Sequence, residues 1–521
     1  MGIFRTYFNS EQLIFLLTGS LLIIISIIFH LKNKNKSAVL FLFAGTVLIY
    51  LFAALLDPFL NLWDERFHAL VGKNLMNHPL VPTLYDDPVV DMAYDRWDRC
   101  HIWLHKQPLF LWQIMLSFKI FGVNELALRL PNVVLSSFLV VFSYRTGKLL
   151  INAKVGYYTA FLFSTSFFMV ELISGRRELE HNTIAFLVYV SASLWAWTEY
   201  LFSRKWYWIV LIGIFSGFAI LCKWLVGLLV YFGWGIYNLI TYKLHLKKYK
   251  HLFLSLLITI LIVLPWQILI LKLYPAETKM AYNFFSRHFS EALDGHRGGN
   301  WYFFDTMSVL YGKIAPFIIG FGFLLFYRKI KDNGIRIAFI SLPIIVYLFF
   351  SLAKTKMENY TFVVALPVYI CLACIIDFII KKMSQHIKIK LLQSILVFLL
   401  IILVGASNLN IELLQEKHTL WKETNQYPVM LSHNKAIFRQ LKDELPKNSV
   451  LFNVKGRHYI ESMFYSGFPS YNFIPSYYQY SDLKEKEKTI AIFKTENTKI
   501  PEYLNNDSTV IIINQKVCGY N

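Results

Sequence analysis

Asp64 and His68 stand four residues apart in the run Trp63-Asp64-Glu65-Arg66-Phe67-His68. On a helix that spacing sets the carboxylate and the imidazole on one face, with Glu65 beside them. Such a face suits a general base acting on a hydroxyl or an amine. The competing reading is a first helical turn whose acids complement the helix dipole. Farther along, Trp103-Leu104-His105-Lys106-Gln107-Pro108 sets an ammonium group just before an apolar segment. That is the depth at which a lipid-linked phosphate would lie, although a single lysine there reads first as a snorkelling anchor.

Three more polar clusters lie between apolar runs. In Ser174-Gly175-Arg176-Arg177-Glu178-Leu179-Glu180-His181-Asn182, Arg176 or Arg177 suits a phosphate contact and Glu180 or His181 an acceptor or metal; a salt-bridged helix cap is the alternative. The third cluster holds Arg287 and Arg297 as phosphate donors, and glycines around His296 that let backbone approach a ligand closely. His296 with His105 suits zinc, so a divalent metal is held open, though two histidines fall short of a full ligand set. The fourth is Ala353-Lys354-Thr355-Lys356-Met357-Glu358-Asn359-Tyr360, where two lysines face outward against the charge rule and an anionic ligand would explain them. Asp86, Asp87, Asp91, Asp95 and Asp98 match no calcium-loop spacing and read as a solvated face. Together the clusters set Lys106, Arg176, Arg287, Lys354 and Lys356 around carboxylates at one membrane interface, which suits an anionic, lipid-linked substrate.

The elements that must position these residues are membrane spans. The chain has 521 residues, of which 56% are hydrophobic and 17% aromatic, with mean hydropathy +0.45. Spans are expected near 11–31, 38–59, 128–150, 155–173, 182–201, 207–221, 224–242, 252–274, 307–327, 336–352, 361–380 and 390–407, giving about 12–13 transmembrane helices. The net charge of +19 comes from short basic loops such as 32–36, 243–250 and 381–390, as the positive-inside rule requires, so nucleic acid is not the expected partner. The clusters above and the N-terminus then face outward, Arg5 being the only strong charge there. The segment 108–121 is short for a span and is expected to lie in the interface. If it crossed, every later loop would reverse. The first apolar stretch is expected to remain as an anchor.

From 409 onward polar residues rise and short apolar runs such as Val450-Leu451-Phe452-Asn453-Val454, 489–493 and 509–514 alternate with helical stretches. The expected organisation is an α-helical polytopic catalytic domain over 1–408, with its outer loop 61–107 and interfacial helix 108–121, and a small soluble α/β domain over 409–521. Cys371 and Cys374 read as packing residues on a span; Cys100 and Cys518 both fall outside, where a pairing is open.

The order Asp64-Glu65, His105-Lys106-Gln107-Pro108-Leu109-Phe110-Leu111-Trp112, Phe121-Gly122-Val123-Asn124-Glu125 and Arg129-Leu130-Pro131 resembles the first third of the polyprenyl-phosphate-sugar-dependent glycosyltransferases. These include the protein O-mannosyltransferases and the aminoarabinose transferases that modify lipid A. Gly295-His296-Arg297-Gly298 with Trp301-Tyr302, and Ala353-Lys354-Thr355-Lys356 with Tyr360, are similar to the family's later outer loops. The likeness covers residues 38–380. It implies a GT-C fold in a bacterial inner membrane and transfer, with inversion, from an undecaprenyl-phosphate sugar on the outer face to a lipid A, protein or glycan acceptor. On matching positions, Asp64 would be the acceptor-side base or orienter, with Glu65 beside it. Lys106 would neutralise the leaving phosphate. Lys356 and Tyr360 would help hold the donor, together with Arg66, Arg176, Glu180, His181, Arg287, Arg297 and Lys354. The chain departs from the family's pattern at His105, usually an acid, at Gln107, usually a second proline, and in a longer loop between Asp64 and Lys106. Glu180-His181 meets the family's second acidic position only in approximate register. The alternatives are a lipid-linked glycan polymerase or ligase, and a lipid-linked sugar transporter, for which no inverted repeat is visible.

Overall fold

The computed structural model describes residues 8–91, 96–177, 180–415, 427–495, 498–515 and 517. The chain forms two compact units. One comprises Met1–Leu56, Lys106–Phe110 and Arg129–Leu413; the other comprises Asp57–His105, Leu111–Leu128 and Leu414–Asn521. The outer loop thus groups with the C-terminal region, whereas composition alone drew a single boundary near 408.

The first unit is all helical. Among the described residues the chain has 10 helices long and apolar enough to cross a membrane, or up to 12 if two bent pairs each count as one span. Helices are the natural answer here because a bilayer core offers backbone N–H and C=O groups no partner. Thr183–Ser203 is 94% buried across its apolar window and forms the centre of the unit. By contrast, Lys250–Leu273 exposes Phe253, Leu257, Ile260, Leu261 and Leu264, a surface suited to lipid. This is a multi-pass membrane protein.

The expected spans near 155–173 and 307–327 are the two bent pairs. Ala153–Ser164 and Phe167–Ser174 meet at 41°, and Tyr302–Tyr311 and Ala315–Lys329 at 85°. The first break is made by Ser166, whose side chain caps the following helix; the second falls at Gly312, with φ 96°. The third outer cluster contains an unexpected element, the 16-residue helix Pro275–Ser290, begun by proline in its first turn.

The second unit is α/β. Its parallel strands β1 (Ser449–Phe452), β2 (Thr489–Phe493) and β3 (Ile511–Ile513) lie in the order β1-β2-β3, with Ser449 opposite Thr489 and Ala491 opposite Ile511. All of β1 is buried, as expected of strands covered on both faces. The helix Asp64–Asn74 packs closely on Pro108–Phe121, since a Cβ on Gly72 would stand 2.5 Å from Ile114 Cγ2. The rest of the outer loop is pinned behind it. Asn74 Nδ2 donates to the Thr83 and Leu84 carbonyls, and Thr83 bridges Ile102.

Candidate active site

In the helical unit, Lys106 is buried and its Nζ lies 3.1 Å from Glu180 Oε1. Lys223 pairs with the other carboxylate oxygen of Glu180 and stands 5.1 Å from the Tyr360 ring centre. Two ammonium groups thus share one carboxylate, leaving a net positive charge. Burial alone would raise the Glu180 pKa, but Lys106 and Lys223 outweigh it and hold the carboxyl well below the usual carboxylate range. Its stabilising contribution is therefore present above the ordinary carboxylate pKa and is lost only as pH falls through the depressed value. The Glu180 carboxylate therefore stays ionised at any pH near neutrality. Glu180→Gln leaves two lysines facing each other in a half-buried site and is expected to cost roughly 3 kcal/mol of stability, read as a fall in the melting temperature of the purified protein.

Hydrogen bonds hold this cluster from both sides. Lys223 Nζ donates to Thr183 Oγ1 (3.3 Å), which also accepts from Asn359 Nδ2 (2.7 Å). Gln107, next to Lys106, accepts at 3.1 Å from Gln267 Nε2, and Gln267 Oε1 accepts from the Tyr282 hydroxyl. The Tyr282 ring lies 5.2 Å from that of Trp224, the residue after Lys223. Trp224 has φ 85° and ψ −161°, a region close to glycine-only that persists where surroundings over-determine it. His288 lies near enough to feel the Glu180 and Lys106 charges, but burial dominates and pushes its pKa below the ordinary value, so it is neutral at pH 7.

Other residues of the clusters brace the same unit. Arg177 bridges Glu171 (2.7 Å) and Glu358. His181 is buried, edge-on to Phe110, and its carbonyl accepts from Asn132. Arg176 is half-buried, its backbone N–H donating to Ser174 Oγ. Lys356 is buried, donates to the Ser351 carbonyl at 2.8 Å and lies 5.7 Å from the Phe303 ring; burial lowers its pKa. Its backbone N–H donates to the His296 carbonyl. Lys354, Arg287 and Arg297 are exposed, and Arg287 is held by Glu291 at 2.7 Å. The structure therefore gathers Lys106, Glu180 and Tyr360 and leaves these three cations at the surface.

In the α/β unit, Asp64, Glu65 and Arg66 open the helix Asp64–Asn74 and all three are buried. Glu65 Oε2 accepts the Asn61 N–H at 2.6 Å, and Arg66 pairs with Glu461 at 3.0 Å. Trp63, directly before Asp64, has φ 61° and ψ −131°, a second strained tryptophan beside a candidate residue. His105 stacks on Trp97 at 4.4 Å. The solvated acidic face holds for exposed Asp87 and Asp91, but Asp98 is a correction: it is buried, bonded to Arg96 at 2.8 Å and 3.4 Å from Arg457. Among the described residues, no three or more His, Cys, Asp or Glu are gathered to hold a metal. Asp95, Arg5 and Cys518, and with Cys518 its pairing to Cys100, lie outside the described residues.

Lys223, Gln267, Tyr282 and Asn359 were missed in sequence. Lys223 carried a signal, since the expected topology puts the turn between the spans 207–221 and 224–242 outside, where a lysine breaks the same charge rule as Lys354 and Lys356. Gln267 carried another, as an amide inside an apolar span.

Residues 105–268 match the family described as dolichyl-phosphate-mannose-protein mannosyltransferase. A protein of uncharacterized function from Aquifex aeolicus is 27% identical over 314 residues, 58% of each chain, so the match spans little more than half of that relative. ArnT from Cupriavidus metallidurans bound to undecaprenyl phosphate is similar in structure, with TM-score 0.61, 14% identity and coverage of 88% of this chain and 86% of that one. The oligosaccharyltransferase AglB from Archaeoglobus fulgidus, solved with an inhibitory peptide and a dolichol-phosphate, gives TM-score 0.54 and 13% identity over 84% of this chain and 64% of its own.

Proposed function

We propose that this multi-pass membrane protein of the GT-C fold is a glycosyltransferase of the kind that uses lipid-phosphate sugars. It takes a sugar from a polyprenyl-phosphate donor, undecaprenyl phosphate in a bacterial inner membrane, and passes it to a lipid A, protein or glycan acceptor on the outer face. The observation that carries this reading is the paired cation site, Lys106 and Lys223 on Glu180 beside Tyr360. A phosphomonoester-like leaving group needs fixed positive charge where its own charge develops, and a preorganised site supplies it without reorganisation.

In the step itself the acceptor hydroxyl or amine attacks the anomeric carbon from the face opposite the phosphate. The bond from that carbon to the phosphate oxygen breaks, its electron pair staying with the lipid phosphate, and the configuration inverts. Lys106 neutralises the leaving phosphate, while Glu180 keeps both ammonium groups in place. Asp64 orients the acceptor and takes its proton, with Glu65 fixing the entry to the helix through Asn61. Lys356 and Tyr360 help hold the donor.

The test is a panel of undecaprenyl-phosphate monosaccharides offered to the purified protein, scored by formation of free undecaprenyl phosphate together with a glycosylated acceptor. Coupled appearance of both products from at least one donor is the expected result. Activity confined to diphosphate-linked oligosaccharides would select a polymerase or ligase instead, and movement of intact donor across a vesicle membrane would select a transporter.

A further inference from the structure

The C-terminal region meets the acidic helix along its whole length, inside one compact unit. Arg66 in the first turn pairs with Glu461, both side chains 3% exposed, and His458 Nδ1 lies 2.8 Å from the other Glu461 oxygen. At the far end Lys73 Nζ donates to the Met463 and Phe464 carbonyls at 3.2 and 2.7 Å, capping the helix His458–Ser466. Burial is the main cause that lowers the Lys73 pKa to about 8. The approach to the acidic helix is held as well. The Tyr465 hydroxyl accepts the Leu60 N–H at 3.0 Å, and Phe59 and Leu62 pack with Met430 and Leu431.

A further contact is made at the strained residue. The Arg457 guanidinium lies 4.6 Å from the Trp63 ring centre and 5.4 Å from that of Trp97. Its Nε is 3.4 Å from the buried Asp98 carboxylate, and Trp97 stacks in turn on His105. A non-glycine residue at the Trp63 backbone angles costs about 1–3 kcal/mol and must be held by its neighbours. Burying the Arg66–Glu461 pair is likewise a poor source of stability, because desolvation offsets most of the attraction; its best-attested use is to fix register.

We infer that residues 457–461 of the C-terminal region are the positioning element of the acidic helix: Arg457 and Glu461 set the backbone at Trp63 and Arg66 and thereby orient the Asp64 carboxylate. This rests on the reading of Asp64 as the acceptor-side group. Both residues act through Asp64 and touch no substrate.

The test uses the full chain in detergent as wild type, Arg457→Leu, Arg457→Lys, Glu461→Gln, Asp64→Asn and the Asp64→Asn/Arg457→Leu double variant. Arg457→Leu should lower kcat by about tenfold to a hundredfold with donor KM unchanged, the scale of a misplaced catalytic group. Arg457→Lys, which keeps a cation between the two rings, should stay within about threefold of wild type. In the Asp64→Asn background, Arg457→Leu should cost nothing further, whereas a general folding defect would multiply the two losses. Amide hydrogen exchange over residues 64–74 should accelerate in Arg457→Leu and Glu461→Gln while exchange in the spans stays the same. Unchanged exchange over 64–74, or multiplicative losses, would overturn the inference. Full activity in Asp64→Asn would instead sink the role of Asp64, and the exchange result would still decide whether the clamp exists.

Discussion

Lys106→Ala is expected to lower the rate of sugar transfer by about a hundredfold to a thousandfold, the usual loss when a preorganised charge on a developing anion is removed. The effect should fall on kcat more than on donor KM, because the donor's phosphodiester carries less charge than the leaving monoester. Lys223 pairs with the far oxygen of Glu180 and is tied to Thr183, so it is held at its own position and does not move into that of Lys106. Lys106→Arg is expected to restore little, because its planar fork is longer than the ammonium and would have to displace Glu180. Initial rates at saturating acceptor, with donor varied, decide the matter; a loss confined to KM would demote Lys106 to a binding group.

Asp64→Asn should lower kcat by about a hundredfold to ten-thousandfold, the range for a positioned general base. Asparagine matches the carboxylate in shape, so the first turn of the helix and the Arg66–Glu461 pair should persist and the melting temperature should stay near that of wild type. The loss should shrink for an acceptor whose nucleophile is already deprotonated, since such a nucleophile needs orientation but no base. Equal losses for every acceptor would mean that Asp64 orients and does not take the proton.

The spans were legible because bilayer thickness fixes their length and lipid fixes their composition. The two bends were harder to see, for hydropathy is blind to a serine cap at Ser166 or a positive φ at Gly312. The Asp64 helix could be read from the four-residue spacing to His68, and Lys106 from its place before an apolar segment. The carboxylate that Lys106 pairs with is a different matter, as Glu180 was one of several ionisable residues in a short loop and only the folded contacts choose among them. Lys223 stands between two apolar runs in the sequence, and only the folded contacts bring it to Glu180. The Arg66–Glu461 pair joins positions 395 apart in sequence, and no periodicity reaches that far. Asp98 shows the same limit, being one acid in a polar run until the fold brings Arg457 of the C-terminal region to its carboxylate.

The most direct measurement is single-turnover release of undecaprenyl phosphate from its glycosylated form, with enzyme in excess, for wild type, Lys106→Ala and Asp64→Asn with and without acceptor. Wild type should release the lipid phosphate only when acceptor is present, in step with one glycosylated product of inverted configuration, and both variants should be slowed on the scales given above. Release at the wild-type rate in both variants, or a retained configuration in the product, would contradict the roles assigned to Lys106 and Asp64.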